Sequence, residues 1–530
     1  MKETSIELEG GYPQIIVHDV EEPEEETECN GDEPLMNGNI RDPVGVSTGT
    51  PQGSPVLKSR KGHGSNGHIY TPNGSPSKGA SYLPLGVSHA TSWGGSVSSI
   101  RLSASREDIA TMHEEQKIKA TSAPVDKFKM IFCIMALHGV ATLLPWNMFI
   151  TATAYFTEHK FGNVSDNAEY KDKFVSYIGI AGFIPNVFFL AISLFVPPKS
   201  SKMANILSLN FMLSLFVLTT ILAILDSTEW PGAFFGITMA TIVLFNGAAA
   251  IYQSGLFAFA AELPDSYLQS YIVGQGLGGT FVSVVSIITL ATTDSLQTAA
   301  IAYFLCAVFV LFLAVICLVI AYRSPFVKWH HNNTVNVLTD KEKEALDTAS
   351  PPLILIFKRI KLDAFSVWLL FFVTLSIFPA FSIGVQSTME QPHSSFIKMY
   401  FTPLTCFFIF NMADFVGSMV PALIKWPFPN KSWIVAVGRL LFFVLFIFCN
   451  YRPDSRTIPV YFNDYVYIGL MIIMSITNGY FKTAIMMEGP QRVPPEWAGK
   501  AASMMVFFLV LGIFCGLQFS LFFPWFIKQF

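Results

Sequence analysis

Charge is what this chain has least of. Asp, Glu, Lys and Arg make up 14% of its 530 residues, against 52% hydrophobic, and the formal net charge is −4. A soluble chain of this length would split into several domains, with polar surface between its apolar runs. No stretch is basic enough to hold nucleic acid, so no nucleic-acid partner is expected. Cysteine is scarce too. Cys29 lies in a polar stretch, Cys133, Cys306, Cys317, Cys406, Cys449 and Cys515 lie in apolar runs, and none forms a C-x-x-C pair. That pattern argues against a disulfide framework or a metal site and leaves small packing residues. No H-E-x-x-H, G-x-S-x-G or phosphate-loop pattern occurs, so no catalytic set and no cofactor are expected, and the chain is not read as an enzyme. No apolar core follows Met1, which excludes a cleaved signal peptide; the first apolar span must serve as anchor.

What the chain does have is a succession of apolar runs of about 20 residues, the length a helix needs to cross lipid. Its 49 phenylalanines fit lipid-facing helices better than a soluble core. The runs predict an all-α integral membrane protein of about eleven transmembrane helices. They lie near 129–154, 174–197, 204–226, 232–256, 268–292, 298–322, 363–386, 399–424, 432–451, 464–487 and 499–527. Residues 1–125 combine an acidic block (Glu21 to Glu28) with a Gly/Ser/Pro-rich segment and read as a disordered tail. Ser103, after Arg101, is either a phosphorylation site or solvated linker. Four parts result: the tail 1–125, helices one to six in 126–322, a loop at 323–362, and helices seven to eleven in 363–530.

Lys and Arg near the span ends set an orientation. With the N-terminus in the cytosol, cytosolic loops receive Lys199, Lys202, Arg323, Lys358, Arg359, Lys425, Arg492 and Lys500, among others. The outer loops after spans three and five receive none. An odd span number then puts the C-terminus outside. Asn163, in Asn-Val-Ser, falls in the first outer loop as a usable glycosylation site, while Asn73, Asn332 and Asn430 fall on the cytosolic side.

Polar groups inside the spans carry the functional argument. Asp414 sits in a long apolar run, where an acid costs roughly 2.5–3.5 kcal/mol on insertion scales. With Asn411 and Ser418 it follows an i, i+3, i+7 spacing, so one face carries an amide, a carboxylate and a hydroxyl. A buried acid needs a cation. Arg439 lies nearer the inner end of its span, where its side chain can snorkel, and Lys482 lies well inside its own, so Lys482 is the expected partner. In span one Pro145 predicts a kink, with Trp146 and Asn147 beside it. Trp146 is either a flat surface for an aromatic ligand or an interfacial anchor. Asn246, Ala249 and Gln253 share a face of span four, where the amides can read a base or sugar edge or bond between helices. The glycines around Gln275 read as close packing, and His138 as a packed neutral histidine.

Together these segments resemble the equilibrative nucleoside transporter family. The resembling residues are Thr142 to Asn147 with Thr151 to Phe156, Gln253 to Phe257, Gly274 to Leu277, Phe378-Pro379, Phe410-Asn411 with Asp414 to Gly417, Trp426-Pro427, Ser475 to Tyr480, and Gly489-Pro490. They run in family order over about 128–528 of the chain. The resemblance implies a major-facilitator-like 6+5 arrangement and facilitated, sodium-independent diffusion of purine and pyrimidine nucleosides. It implies a plasma-membrane address, with endolysosomal residence as the alternative, and no obligatory protein partner beyond the bilayer. By the same resemblance Trp146 faces the nucleoside with Leu143, Asn147 and Ile150 around it. Gln253 bonds the base, Asp414 lies at the ribose end near Asn411, and Phe183 and Phe378 line the apolar part. Two departures stand out. The family usually has an arginine where this chain has Ser418, and a small residue where it has Lys482, so the positive charge has moved to span ten. Within the same family, organic-cation or proton-coupled transport is the runner-up; Glu262 and Glu488 would favour a cation, and the neutral Gln275 argues against one.

Overall fold

A computed structural model describes residues 2–9, 12–19, 105–120, 124–153, 155–161, 168–196, 200–293, 295–336, 353–388, 400–425, 431–453 and 459–522. The chain divides into two units, 1–84 and 85–530. In the first, strands β1 (Lys2–Glu9) and β2 (Tyr12–Asp19) pair antiparallel, with Lys2 opposite Asp19. The second begins with helix α1 (Arg106–Ala120). Both lie inside the stretch expected to be a disordered tail. For α1 the reason is local: Ser105 Oγ accepts the Asp108 amide at 3.1 Å, and the Asp108 carboxylate accepts the Ser105 amide at 3.0 Å. This reciprocal cap satisfies two of the donors that a helix start leaves free.

Six long helices follow: α2 (Met130–Thr151), α3 (Ala168–Phe195), α4 (Ser201–Ile224), α5 (Pro231–Ala261), α6 (Asp265–Thr292) and α7 (Leu296–Arg323). A short helix, α8 (Pro325–Asn336), opens the loop. The second half holds α9 (Leu353–Ile377), α10 (Ile409–Met419), α11 (Ser432–Gly438), α12 (Leu441–Ile447), α13 (Asp464–Gln491) and α14 (Ala498–Ser520). Among the described residues ten helical segments are long and apolar enough to cross a membrane. The ninth expected span is the exception. It is broken at Arg439–Leu440 into α11 and α12, after Gly438, where tighter i→i+3 bonds run from Leu440 N to Val437 O and from Phe442 N to Arg439 O. The eighth span is also irregular: a π turn at Pro403–Phe408 leads into α10, and a 3₁₀ turn, Val420–Ala422, ends it. Each irregular turn begins at or beside a proline, which has no N–H for the regular ladder.

The two halves are wired alike. Span one packs on span five and span two on span four; six positions later, span seven packs on span eleven and span eight on span ten. Missing side chains permit the first pairing. A Cβ on Gly139 or Gly274 would run into the backbone of the facing helix, and the same holds for Gly512 and Gly516 against α9. This repetition is the expected major-facilitator-like 6+5 arrangement. In the first half a cluster of buried rings (Phe149, Phe156, Phe216, Phe245, Phe304) fills the interior. At the bundle end where span one starts, hydrogen bonds join the halves. Lys500 Nζ donates to Ser193 O and Leu194 O at 3.4 Å, and Ser503 Oγ donates to Ser254 O at 3.3 Å. Farther along, Asn411 Nδ2 donates to Ser283 Oγ at 3.0 Å.

Candidate functional site

The polar centre is in the second half. Asp414 and Lys482 are 6% and 5% exposed, and Lys482 Nζ donates to Asp414 Oδ2 at 2.6 Å. The expected pairing is present. A buried pair has to recover what its desolvation costs, which demands close geometry and further hydrogen bonds. The second bond is there: Asn478 Nδ2 donates to Asp414 Oδ1 at 2.7 Å. Asn478 and Lys482 are four residues apart on α13, so one face of that helix grips both oxygens of the acid. Backbone contact brings the helices this close. A Cβ on Gly479 would meet the Asp414 carbonyl, and one on Gly417 would meet the Ile476 carbonyl. Each carboxylate oxygen keeps acceptor capacity beyond its single bond.

Arg439 departs from expectation. It does not snorkel but is 3% exposed, and its Nη1 donates to Met474 O at 3.1 Å and to Thr477 Oγ1. Its Nη2 donates to Thr374 Oγ1 at 2.8 Å. The break in span nine falls at this residue, and the side chain turns inward onto α9 and α13 rather than along its own helix to the water.

The other residues of the α10 face do different work from Asp414. Asn411 is engaged with Ser283 and with Phe407 O (2.9 Å). Ser418 is fully buried and donates back to the Asp414 carbonyl at 2.8 Å, against Gly479. Its hydroxyl therefore bonds its own helix. The i, i+3, i+7 spacing was right about the stripe, but α6 and α13 share that stripe between them. Phe378 stacks on Phe410 with ring centroids 3.7 Å apart and planes 7° from parallel.

In the first half Trp146 meets Phe183 edge to face at 4.8 Å. Gly182 makes room for the indole, since a Cβ there would meet its six-membered ring. Leu143, Asn147 and Ile150 are half-buried along the same helix. Gln253 is buried, and among the described residues its side-chain amide has no hydrogen-bond partner. Its neighbour Tyr252 is engaged with His138 Nδ1 at 2.7 Å. Gln275 is buried, as the packing reading of its glycines requires, beside the Tyr271 hydroxyl. The expected residues are thus gathered as two groups: Trp146 with Phe183 on one half, and Asp414 with Lys482 on the other. Asn163 lies outside the described residues.

Sequence reasoning left Asn478 and Thr374 out of the site. Asn478 was legible, standing one helical turn before Lys482. Thr374 was not, because a threonine in an apolar helix usually bonds its own backbone, and this one also reaches Leu370 O at 2.8 Å. Glu262 and Glu488 are not near Asp414. Glu262 pairs with His331 at 2.8 Å, and Glu488 with Arg492 at 3.2 Å, both at the bundle end where span one starts. Arg492 also pairs with Asp363.

Comparison with known proteins places these features in a family. The nucleoside transporter family profile matches residues 239–525. Equilibrative nucleoside transporter 1 of Homo sapiens is 31% identical over 452 residues, covering 76% of this chain and 98% of that protein. Equilibrative nucleoside transporter 3 of Rattus norvegicus is 30% identical over 420 residues, covering 74% and 88%. Among solved structures, the human organic anion transporter MFSD10 aligns with a TM-score of 0.46 at 13% identity, covering 76% of this chain and 96% of that one. The nucleoside transporter NupG aligns with a TM-score of 0.41 at 16% identity, covering 76% and 92%.

Proposed function

Since the chain belongs to the equilibrative nucleoside transporter family, a family of membrane transporters and not enzymes, we propose that it carries nucleosides down their gradient, without sodium, by alternating access. The observation that carries this reading is the buried acid. Asp414 is fixed at both oxygens by Lys482 and Asn478, yet each oxygen can still accept a hydrogen bond. Vicinal ribose hydroxyls are donors of the matching kind. On this reading Trp146 and Phe183 offer the base an aromatic wall, with Leu143, Asn147 and Ile150 around it. The free amide of Gln253 reads the base edge, and Phe378 covers the apolar side of the sugar. Asn411 braces α10 against α6, and Ser418 supports the acid's helix instead of touching substrate.

The hydrogen bonds between the halves at the end where span one starts support a cycle in which the halves rock about this midplane site. With the N-terminus cytosolic, that joined end faces the cytosol. We place the carrier in the plasma membrane, with Asn163 as the glycosylated position. The cation alternative loses support, because Glu262 and Glu488 are engaged elsewhere and two buried cations, Lys482 and Arg439, accompany the single acid.

The test is uptake of labelled uridine and adenosine in nucleoside-transport-deficient cells, in sodium-free medium, at neutral and acid pH, with a cationic monoamine in parallel. Saturable nucleoside uptake that Asp414→Ala abolishes is the expected result. Uptake of the cation alone would overturn the reading, and uptake that needs acid pH would replace it with a proton-coupled carrier.

A further inference from the structure

We propose that Arg439 is a positioning residue for ribose recognition, holding Asp414 in place through a one-way chain of hydrogen bonds across four helices; the proposal rests on the reading that Asp414 meets the ribose. The direction of each bond follows from chemistry. An ionised Asp414 can only accept, so the Asn478 group 2.7 Å from its Oδ1 is the NH₂. The Asn478 carbonyl oxygen therefore points the other way, 2.8 Å from Thr374 Oγ1, and needs a donor. A guanidinium can only donate, so Arg439 Nη2 gives its hydrogen to the Thr374 oxygen at 2.8 Å. Thr374 has one proton and two acceptors in reach, Leu370 O and Asn478 Oδ1, each at 2.8 Å. The Leu370 carbonyl is a main-chain helix acceptor, whereas the Asn478 oxygen faces Thr374 as the donor that completes its amide, so the proton goes to Asn478.

Every donor in the chain then points from cation to anion: Arg439, Thr374, Asn478, Asp414. Bonds aligned this way polarise one another in a medium of low dielectric, so the charge of Arg439 is felt at the acid without a direct contact. Lys482 approaches the other oxygen. The carboxylate is pinned from two sides, and its remaining acceptor sites have a fixed direction. Loss of Arg439 removes the donor that orders Thr374, frees the hydroxyl to turn to Leu370, and lets the Asn478 amide rotate.

The experiment measures KM and maximal uptake per carrier at the cell surface for uridine and for 2′,3′-dideoxyuridine, which keeps the base and lacks the hydroxyls. Arg439→Gln is expected to raise KM for uridine at least about fivefold and to leave that for dideoxyuridine within about twofold, a difference of the order one or two oriented hydrogen bonds supply. Thr374→Val, uncharged and nearly isosteric, is expected to show the same split, and the double variant no more than the single. If Arg439→Gln fails to reach the surface, Thr374→Val carries the test. Equal changes for both substrates, or a fall in surface level alone, would mean a purely structural arginine and overturn the proposal. Asp414→Asn is the reference. If it lacks the split, the ribose reading falls and takes this inference with it. If it shows the split and neither Arg439→Gln nor Thr374→Val does, this inference alone falls.

Discussion

Removing Lys482 and removing Asp414 should not be equivalent, and the order of their effects tests the charge arrangement. Three buried charges share this region: Arg439 and Lys482 positive, Asp414 negative. Asp414→Asn strands two cations. Lys482→Met leaves one acid and one cation, still linked through Thr374 and Asn478. Breaking a buried pair by taking one partner costs about 3–5 kcal/mol. We place Asp414→Asn at the upper end of that range and Lys482→Met at the lower. Methionine keeps most of the lysine's volume, so the cavity contribution is small. The double variant leaves Arg439 as the one stranded cation and should cost less than Asp414→Asn alone, giving a coupling of more than about 3 kcal/mol, well above the few tenths expected of independent sites. The assay is retention of folded, monodisperse protein after graded heating in detergent, with surface level in cells alongside. Additive damage, or a double variant worse than both singles, would refute the pairing as the organising interaction of the site.

Other outcomes follow from single contacts. Gly479→Ala drives a methyl into the Asp414 carbonyl and should cost about 1–3 kcal/mol and much of the surface yield, whereas Gly236→Ala, with nothing within 4 Å, should be neutral or slightly stabilising by heat challenge. Ser418→Arg should fold poorly instead of strengthening transport, because the position is sealed and Lys482 already supplies the cation; surface labelling reads this directly. His331 has its pKa raised, first by the hydrogen bond it donates to the Glu262 carboxylate. Its contribution to holding α8 is therefore fully present below its unfolded value near 6.5 and fades as pH rises through the higher folded value. Hydrogen exchange at 325–336 should quicken across that window, and His331→Asn should flatten the profile; a profile unchanged by the substitution would discount the contact.

Much of this is legible in the sequence. Apolar runs of membrane length announce themselves, and two charges isolated in such runs, Asp414 and Lys482, have few candidates but each other. The trouble came where several helices compete for one side chain. Arg439 looked like a residue whose long stem would reach the membrane surface, because a sequence shows depth along a helix but not which neighbour lies beside it. Thr374 gave no sign at all, since a hydroxyl bonding its own helix and one bridging to another are spelled the same way. The break after Gly438 was hidden because apolar residues flank Arg439 closely on both sides, at 433–437 and 440–448. The cap that starts α1 is short and local, and the composition of the surrounding tail concealed it.

The glycine contacts between α10 and α13 have one more consequence. Backbone meets backbone at Gly417 and Gly479, and the acid is bonded to Asn478 and Lys482 of the facing helix, so separating the two helices would break both bonds. In the proposed cycle they ride as one body and never part to admit or release a counter-ion. An electric field does about 2.3 kcal/mol of work per 100 mV on each elementary charge that crosses a membrane. A carrier whose cargo is neutral, and whose buried charges return to their starting place each turn, gives the field nothing to work on. Net flux would then reverse wherever the nucleoside concentrations are equal, whatever the voltage of the cell.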